Sequence, residues 1–153
     1  ADSARKVEKS WEQIKLKEKG GNSTILGGVP NSLPSMVKAY RIQDKARNAG
    51  FDWNKRRDVW EKVKEEWDEL KTEIAQLDPD KMEGEFGDLL FSIINAARLY
   101  KVNPDNALER TNQKFIHRFN YMEQKAKEQG KTLKNMTLEE MEAIWQEAKQ
   151  QEK

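Results

Sequence analysis

The stretch "EFGDLLFSIINAARLY", residues 85–100, is the most apolar part of a chain in which 36% of residues are charged. Its polar side chains Glu85, Asp88, Ser92 and Asn95 recur at i, i+3, i+7 and i+10, which places them on one stripe of a helix. Apolar side chains cover the remaining surface, and such a helix is expected to be buried. Because a buried carboxylate is costly without compensation, we expect a positive charge opposite Glu85 and Asp88.

Helical signals continue before this stretch. We expect a helix over about residues 33–49, capped by Asn31 or Ser32 and closed by Gly50. The next helix follows "GFDWN" and carries one apolar face, made of Val59, Val63, Trp67, Leu70 and Ile74. Asp78 as N-cap and Pro79 as first helical residue then predict an αα-hairpin turn in "LDPDK".

Two more helices are predicted after the apolar stretch. Asn103 or Asp105 can cap the first of them, whose core-like stripe is Ala107, Leu108, Thr111, Phe115, Phe119 and Met122. Thr137 and Glu140 predict a capping box for the last helix. No strand pattern competes, so the sequence predicts an all-α fold with a helical bundle at its centre.

Composition limits the classes of function. With 28 basic and 27 acidic residues the net charge is +1, so we expect no nucleic-acid partner. The absence of cysteine excludes thiolate metal sites and cysteine nucleophiles and fits a reducing compartment. No apolar run is long enough to cross a bilayer and no signal sequence is visible, so we expect no membrane contact and a cytoplasmic location. The chain lacks an initiator methionine, which is compatible with a piece of a longer protein.

The apolar share is also low for one domain of this length. Hydrophobic residues make up 36% of the chain. Even with glycine included, that share stays below the roughly 45–50% of a typical globular domain. This thin core favours a core that is shared between the chains of a homo-oligomer.

A second acidic pair lies in "KEEWDEL", residues 64–70, where Glu66 and Glu69 share one helical face. Their midpoint lies about 16 Å from the predicted turn, and that of Glu85 and Asp88 about 12 Å, at a rise of about 1.5 Å per residue. The two pairs should therefore meet. Four such close carboxylates repel one another unless a cation lies between them, and all-oxygen ligands favour Mg²⁺ or Mn²⁺ over zinc.

Other interpretations of these carboxylates stay open. The acids of "KEEWDEL" can form a solvated helix face, and Glu85 and Asp88 can complement a helix dipole. A di-iron bundle would need a Glu-x-x-His motif on two helices, but the single histidine, His117, has no glutamate three residues before it. Because the two acidic pairs are expected at similar distances from the turn, they together favour a metal site.

A basic stripe is predicted further along the chain. Lys114, Arg118, Tyr121 and Lys125 follow i, i+4, i+7 and i+11 in "NQKFIHRFNYMEQK". Alone, this pattern is typical of a solvated face. Beside a metal site it would suit a polyphosphate, because metal and fixed cations share the phosphate charge. His117 lies next to the stripe and is expected at the surface.

These residues carry a resemblance to a known family. "EEWDE", a spacer and "EFGDLLFSIINAAR" resemble the E-E-x-x-E … E-x-x-D signature of MazG nucleoside triphosphate pyrophosphohydrolases. The blocks "GVPNSLPSMVKAYRIQDKARNAGFDW", "ALERTNQKFIHRF" and "LEEMEAIWQEAK" match as well. The resemblance covers about residues 6–150 and is to the C-terminal, catalytic half of two-domain members. The charged, weakly amphipathic start of the chain predicts a linker helix and breaker over residues 1–22, and the resemblance implies a catalytic domain over 23–153.

The resemblance also implies roles for individual residues. The implied Mg²⁺ ligands, for which Mn²⁺ is a plausible substitute, are Glu66, Glu69, Glu85 and Asp88. The implied substrate-binding residues are Lys62, Asn95, Lys114, Arg118 and Trp145. Trp145 would pack against the nucleotide base, although core packing beside Met141 is the alternative.

The implied reaction is hydrolysis of nucleoside triphosphates, ribo or deoxy, to a monophosphate and pyrophosphate, in nucleotide-pool house-cleaning. Mg²⁺ would activate the water, and Glu65 or a ligating glutamate would accept its proton. Family members are dimers, so the resemblance implies an all-α NTP pyrophosphatase bundle completed by a second copy. The alternative is a non-catalytic helical module for nucleotide binding or dimeric interaction, which a failure to bind metal would favour.

Overall fold

Five α-helices make up most of the part of the chain that the computed structural model describes, namely Lys6, Trp11, 24–52 and 56–152. They are α1 (Ser35–Asn48), α2 (Val59–Gln76), α3 (Pro79–Leu99), α4 (Pro104–Glu128) and α5 (Leu138–Gln151). Short 3-10 turns lie at Leu26–Gly28, Arg56–Asp58 and Leu133–Asn135. These ranges contain no strand, which confirms the all-α prediction, and none of their helices has the length and apolarity of a membrane span.

The predicted linker helix over residues 1–22 lies outside the described residues except for Lys6 and Trp11, which are helical. The described chain divides into two compact units between Asp105 and Asn106. The first unit holds α1 to α3, and the second holds most of α4 together with α5. The boundary predicted between residues 22 and 23 stays a prediction.

Helices α2 and α3 form the hairpin that the sequence predicts. Leu77 closes α2 in the left-handed region, with φ of 57°. The Asp78 side chain accepts hydrogen bonds from two backbone N–H groups in the first turn of α3, and Pro79 is the first helical residue. At the other end of the pair, Trp60 Nε1 donates to the Tyr100 hydroxyl over 2.9 Å. The predicted turn is confirmed.

Helix α1 packs against α3. Its predicted cap is wrong: neither Asn31 nor Ser32 caps the helix, because Pro34 holds the N-cap position with an extended ψ of 142° and no side-chain bond. The predicted end is confirmed, since the chain turns at Gly50 with φ of 107°, a conformation that glycine adopts without strain.

One side of α3 is not buried within the chain. Leu89 and Ile94 are buried, whereas Phe86, Leu90 and Ile93 are 50%, 53% and 44% exposed. The expectation of a fully buried helix is therefore wrong for the single chain. The reason is that α1 and α2 cover only the sides of α3 that face them.

The second unit has its own small core. Met122, Ala126, Met136 and Ile144 are buried together, and partly buried side chains, among them Trp145, pack against them. The predicted capping box of α5 is confirmed in both directions. The predicted core stripe of α4 is confirmed only at Met122; its large apolar members Leu108, Phe115 and Phe119 stay 45%, 56% and 37% exposed.

Candidate metal centre

Three carboxylates meet where α2 and α3 run side by side. One oxygen each from Glu66, Glu85 and Asp88 lies within 4.8 Å of the other two. Glu66 is buried, Glu85 partly buried and Asp88 exposed. Because Glu66 precedes the hairpin turn by about as many residues as the other two follow it, the constant helical rise brings them to one level. The structure thus joins three of the four predicted ligands.

The cluster contains buried oxygens that lack hydrogen bonds. Oε2 of Glu66 and Oε2 of Glu85 are buried and have no hydrogen-bond partner among the described residues. An unpaired buried oxygen costs about 1–3 kcal/mol, and more when it is charged. A cation held between the carboxylates would compensate both oxygens. Since every donor is a carboxylate oxygen, the cluster fits a hard divalent cation.

Lys62 places one positive charge at the edge of the cluster. Its Nζ lies 2.9 Å from Oε1 of Glu66 and 3.5 Å from Oε2 of Glu65. The hydrogen bond to Glu66 raises the pKa of Lys62 above its usual value. Lys62 lies one helical turn before Glu66 and compensates part of the charge of that carboxylate. A positive charge opposite Glu85 and Asp88 stays a prediction.

Glu69, the fourth predicted ligand, is not one of the three clustered carboxylates. The negative charge of Glu66, followed by burial and by the charge of Glu85, raises the pKa of Glu69. Glu65 is exposed and paired with Lys62. The proposed catalytic roles of Glu65 and Glu69 stay predictions.

The cluster opens into a cavity of about 500 Å³ in the first unit. Lys62, Glu66 and Asp88 contribute charged groups to its lining. Most of the lining surface is apolar, and Phe51 and Phe91 are the largest apolar residues in it. A cavity of this size and mixture is typical of a small-molecule site.

A buried ion pair forms another part of the cavity lining. Arg98 Nη2 lies 2.7 Å from Oδ1 of Asp52, and both side chains are buried. Arg98 also donates to Oδ1 of Asn95, from Nε over 3.2 Å and from Nη2 over 2.9 Å. Asn95, a predicted substrate-binding residue, is thereby held in one orientation at the cavity surface.

The predicted phosphate-binding residues lie in the second unit. Lys114 is exposed and lines a shallow cavity together with His117 and Glu152. Arg118 is paired with Glu152 and lies over the Trp145 ring, 5.6 Å from its centroid. Trp145 also contacts Phe115, with ring centroids 5.2 Å apart. Trp145 is thus packed beside the small core, and its role at a nucleotide base stays a prediction.

Comparison with known proteins shows which family this chain resembles. The chain is 40% identical over 146 residues to the nucleoside triphosphate pyrophosphohydrolase/pyrophosphatase MazG of Thermotoga maritima. The aligned part covers 92% of this chain and 54% of that protein. The chain is 38% identical over 156 residues to the nucleoside triphosphate pyrophosphohydrolase of Escherichia coli (strain K12), covering 99% of this chain and 59% of that protein. Residues 56–122 match the MazG nucleotide pyrophosphohydrolase domain. The chain belongs to the MazG family.

The uncharacterized protein YabN of Bacillus subtilis is a further relative, 45% identical over 146 residues that cover 94% of this chain and 30% of that protein. The chain therefore spans little more than half the length of the T. maritima and E. coli relatives, and less of YabN. The matched MazG domain, residues 56–122, contains all of α2 and α3 and most of α4. It includes the three clustered carboxylates and both predicted phosphate-binding cations.

Sequence reasoning missed three polar residues that line this cavity: Gln43, Asp52 and Arg98. Arg98 gave a usable signal, because it extends the polar stripe of Glu85 and Asn95 by one more step of three residues. Asp52 lies inside "GFDWN", where no motif or residue spacing singles it out. Gln43 is one polar residue among several on α1, and only the packing of α1 on α3 distinguishes it.

Proposed function

We propose that the chain hydrolyses nucleoside triphosphates and their deoxy forms at the α-phosphorus. Water adds to the α-phosphorus, and the bond from this phosphorus to the oxygen that bridges it to the β-phosphorus breaks. The products are a nucleoside monophosphate and pyrophosphate. The observation that carries this proposal is the carboxylate cluster of Glu66, Glu85 and Asp88, with two unpaired buried oxygens, inside the segment that matches the MazG domain. The cellular role we propose is removal of unwanted nucleotides in the cytoplasm.

Glu66, Glu85 and Asp88 would hold Mg²⁺, with Glu69 beside them, and Mn²⁺ would substitute for it. When bound, the ion polarises water and shares the charge of the phosphate oxygens. Lys62 adds a fixed positive charge 2.9 Å from Glu66. It can move from Glu66 to a phosphate oxygen once the carboxylate is otherwise compensated.

Other side chains of the chain handle the proton and the leaving group. Glu65 is exposed and can accept a proton from water. Lys114 and Arg118, to which the family resemblance assigns triphosphate binding, would hold the leaving pyrophosphate. Arginine suits this role because its planar donors contact two phosphate oxygens at once.

We further propose that the working form is a homodimer. Phe86, Leu90 and Ile93 form an exposed apolar stripe on α3, at i, i+4 and i+7. On α2, Trp67 and Ile74 are also exposed. Exposed apolar patches of this kind mark interaction surfaces, and a two-fold dimer would bury the same stripe on both chains.

Product analysis tests the reaction. With a panel of ribo- and deoxynucleoside triphosphates and millimolar Mg²⁺, we expect equal amounts of monophosphate and pyrophosphate. In ¹⁸O-labelled water the label should enter the monophosphate, because the α-phosphorus is attacked. Glu66→Gln should lose the activity, whereas Asp68→Asn, an exposed acid on the same helix, should keep it.

Two results would contradict the proposal. Release of a diphosphate with inorganic phosphate would move the attack to another phosphorus. Tight, Mg²⁺-dependent nucleotide binding without any product would instead identify a non-catalytic nucleotide-binding module.

A further inference from the structure

The cavity beside the carboxylate cluster contains a buried amide oxygen that the proposed chemistry does not use. Gln43 on α1 is 6% exposed. Its Nε2 donates to the main-chain oxygen of Phe91 on α3 over 2.9 Å. Its Oε1 is buried and has no hydrogen-bond partner among the described residues. Gln43 lines the same cavity as Glu66 and Asp88.

The orientation of this amide is determined by its one partner. A main-chain carbonyl can only accept a hydrogen bond, so the nitrogen of Gln43 must face Phe91 and the oxygen must face away from it. A buried acceptor left unpaired is unfavourable. Because Gln43 is a cavity wall, a donor on a bound molecule is the partner that would remove this cost.

The surroundings of Gln43 indicate what kind of molecule would supply that donor. Ile42, Ala46, Phe51 and Phe91 make this part of the cavity apolar. Asn95 has its Oδ1 occupied by Arg98, so its amide nitrogen is the atom that remains to donate. Beside these apolar side chains, Gln43 offers one acceptor and Asn95 one donor, a combination that suits a flat ring with polar edges.

This region adjoins the carboxylate cluster. Asp88 precedes Phe91 by three residues on α3, which is about 4.5 Å along the helix axis. Asn95 lies about 10 Å beyond Asp88 along the same axis, on the same polar stripe. A molecule whose phosphates lie at Asp88 would therefore place its remaining part against Gln43 and Asn95.

We propose that this part of the cavity binds the nucleoside half of the substrate, and that Gln43 Oε1 accepts a hydrogen bond from it. The substrate class rests on the proposed function. The donor is an N–H group of the base or an O–H group of the sugar. Gln43 is then a specificity-determining residue, because an unpaired acceptor disfavours a nucleoside that cannot supply a donor.

Binding of nucleosides without phosphate tests the proposal apart from catalysis. The four ribonucleosides and their 2′-deoxy forms are titrated at millimolar concentration while NMR follows the side-chain amide of Gln43 and backbone amides of α1 and α3. At least one nucleoside should shift the Gln43 signal. Its Kd should rise at least about threefold in Gln43→Met, which removes both amide atoms at similar length. Gln76→Met, the same change at an exposed position on α2, should bind as the parent does.

A second variant covers the case in which Gln43→Met does not fold. Ala46→Leu lies three residues further on α1, keeps Gln43 intact and fills the cavity, so it should weaken nucleoside binding at least as much. Mn²⁺ binding and the Tm report whether each variant folds. If the Kd depends on which base is present, the donor is an N–H group of the base. If all 2′-deoxy forms lose affinity equally, the donor is a sugar hydroxyl. Either result supports the proposal.

Other outcomes overturn one proposal or the other. If no nucleoside shifts the Gln43 signal, or if the folded variants change Kd less than threefold, the nucleoside subsite is wrong, and triphosphate hydrolysis measured separately can still stand. If nucleosides bind through Gln43 but no triphosphate is cleaved, the subsite stands and the proposed reaction fails.

Discussion

Arg118 and Glu152 form a two-point ion pair in the second unit. Nη2 of Arg118 lies 2.8 Å from Oε2 of Glu152, and Nε lies 3.1 Å from Oε1. The hydrogen bonds raise the pKa of Arg118 and lower the pKa of Glu152. Because a carboxylate and a phosphate present similar paired oxygens to a guanidinium, Glu152 occupies the donors that Arg118 would offer to a triphosphate.

Removing this competitor should strengthen substrate binding. In Glu152→Gln we expect a KM for nucleoside triphosphate that is about two- to tenfold lower at unchanged kcat, since a partly exposed ion pair no longer has to break. Steady-state kinetics of pyrophosphate release measure it. Glu142→Gln, which removes an exposed charge from α5, the helix that ends just before Glu152, is the matched control. An unchanged or higher KM in Glu152→Gln would show that the pair does not compete with substrate.

Acid should weaken the capping box of α5. The hydrogen bond from Lys131, 3.1 Å from Oε2 of Glu140, and that from the Thr137 backbone lower the pKa of Glu140 below its ordinary 4.5. A carboxyl whose folded pKa is depressed stabilises the fold fully above its unfolded pKa and loses that contribution as pH falls through the folded pKa.

The measurement is the difference in Tm between the parent and Glu140→Gln as a function of pH. We expect the largest difference at neutral pH and a shrinking one below about pH 4, where the parent also loses its carboxylate. Glu139→Gln removes a charge from the same turn but leaves the Lys131 contact intact, and should show less pH dependence. A difference that grows on acidification would refute the assignment.

The parts of the structure that local chemistry determines follow from the sequence. Asp78 and Pro79 specify the hairpin turn through contacts within three residues, and the capping box of Thr137 and Glu140 is equally local. The sequence also predicts that Glu66 and Glu85 meet, because a short turn and a constant rise per residue fix the distance of each side chain from the turn.

Long-range packing could not be inferred in the same way. The bond from Gln43 to Phe91 and the ion pair of Arg98 with Asp52 join residues 48 and 46 positions apart. The apolar pattern of α3 covers nearly every side of that helix, so it does not tell which side the rest of the chain leaves exposed. In the folded chain that side carries Phe86 and Leu90, which are 50% and 53% exposed.

A charge in the exposed stripe of α3 should separate the proposed dimer. Leu90 is 53% exposed in the single chain, so Leu90→Asp should be tolerated by the monomer but place an unpaired carboxylate in an apolar interface, which is costly. Light scattering at micromolar concentration should give twice the chain mass for the parent and a lower mass for the variant. Lys81→Glu, an exposed change in the first turn of α3, is the control. A parent that is monomeric and active would rule out the dimer.

The carboxylate cluster should bind metal through Asp88 and Glu66. Asp88→Asn and Glu66→Gln keep the shape of each side chain but remove its charge, so we expect Mn²⁺ affinity to fall more than about tenfold and pyrophosphate release to be lost. Calorimetry with Mn²⁺ measures the first effect without nucleotide. Asp68→Asn is the matched control, since Asp68 is an exposed acid on α2 whose ion pair with Lys71 is worth little.

Thermal stability distinguishes a metal site from a structural acidic pair. In the parent, Mg²⁺ at a hundredfold excess over its Kd should stabilise the fold by about 2.7 kcal/mol, and EDTA should remove this gain. In EDTA, Asp88→Asn should melt no lower than the parent, because it removes one of three mutually repelling carboxylates within 4.8 Å. With Mg²⁺ it should gain almost nothing. If Asp88→Asn bound Mn²⁺ as tightly as the parent, or lost stability in EDTA, the three carboxylates would serve the fold and the cation would have to bind elsewhere.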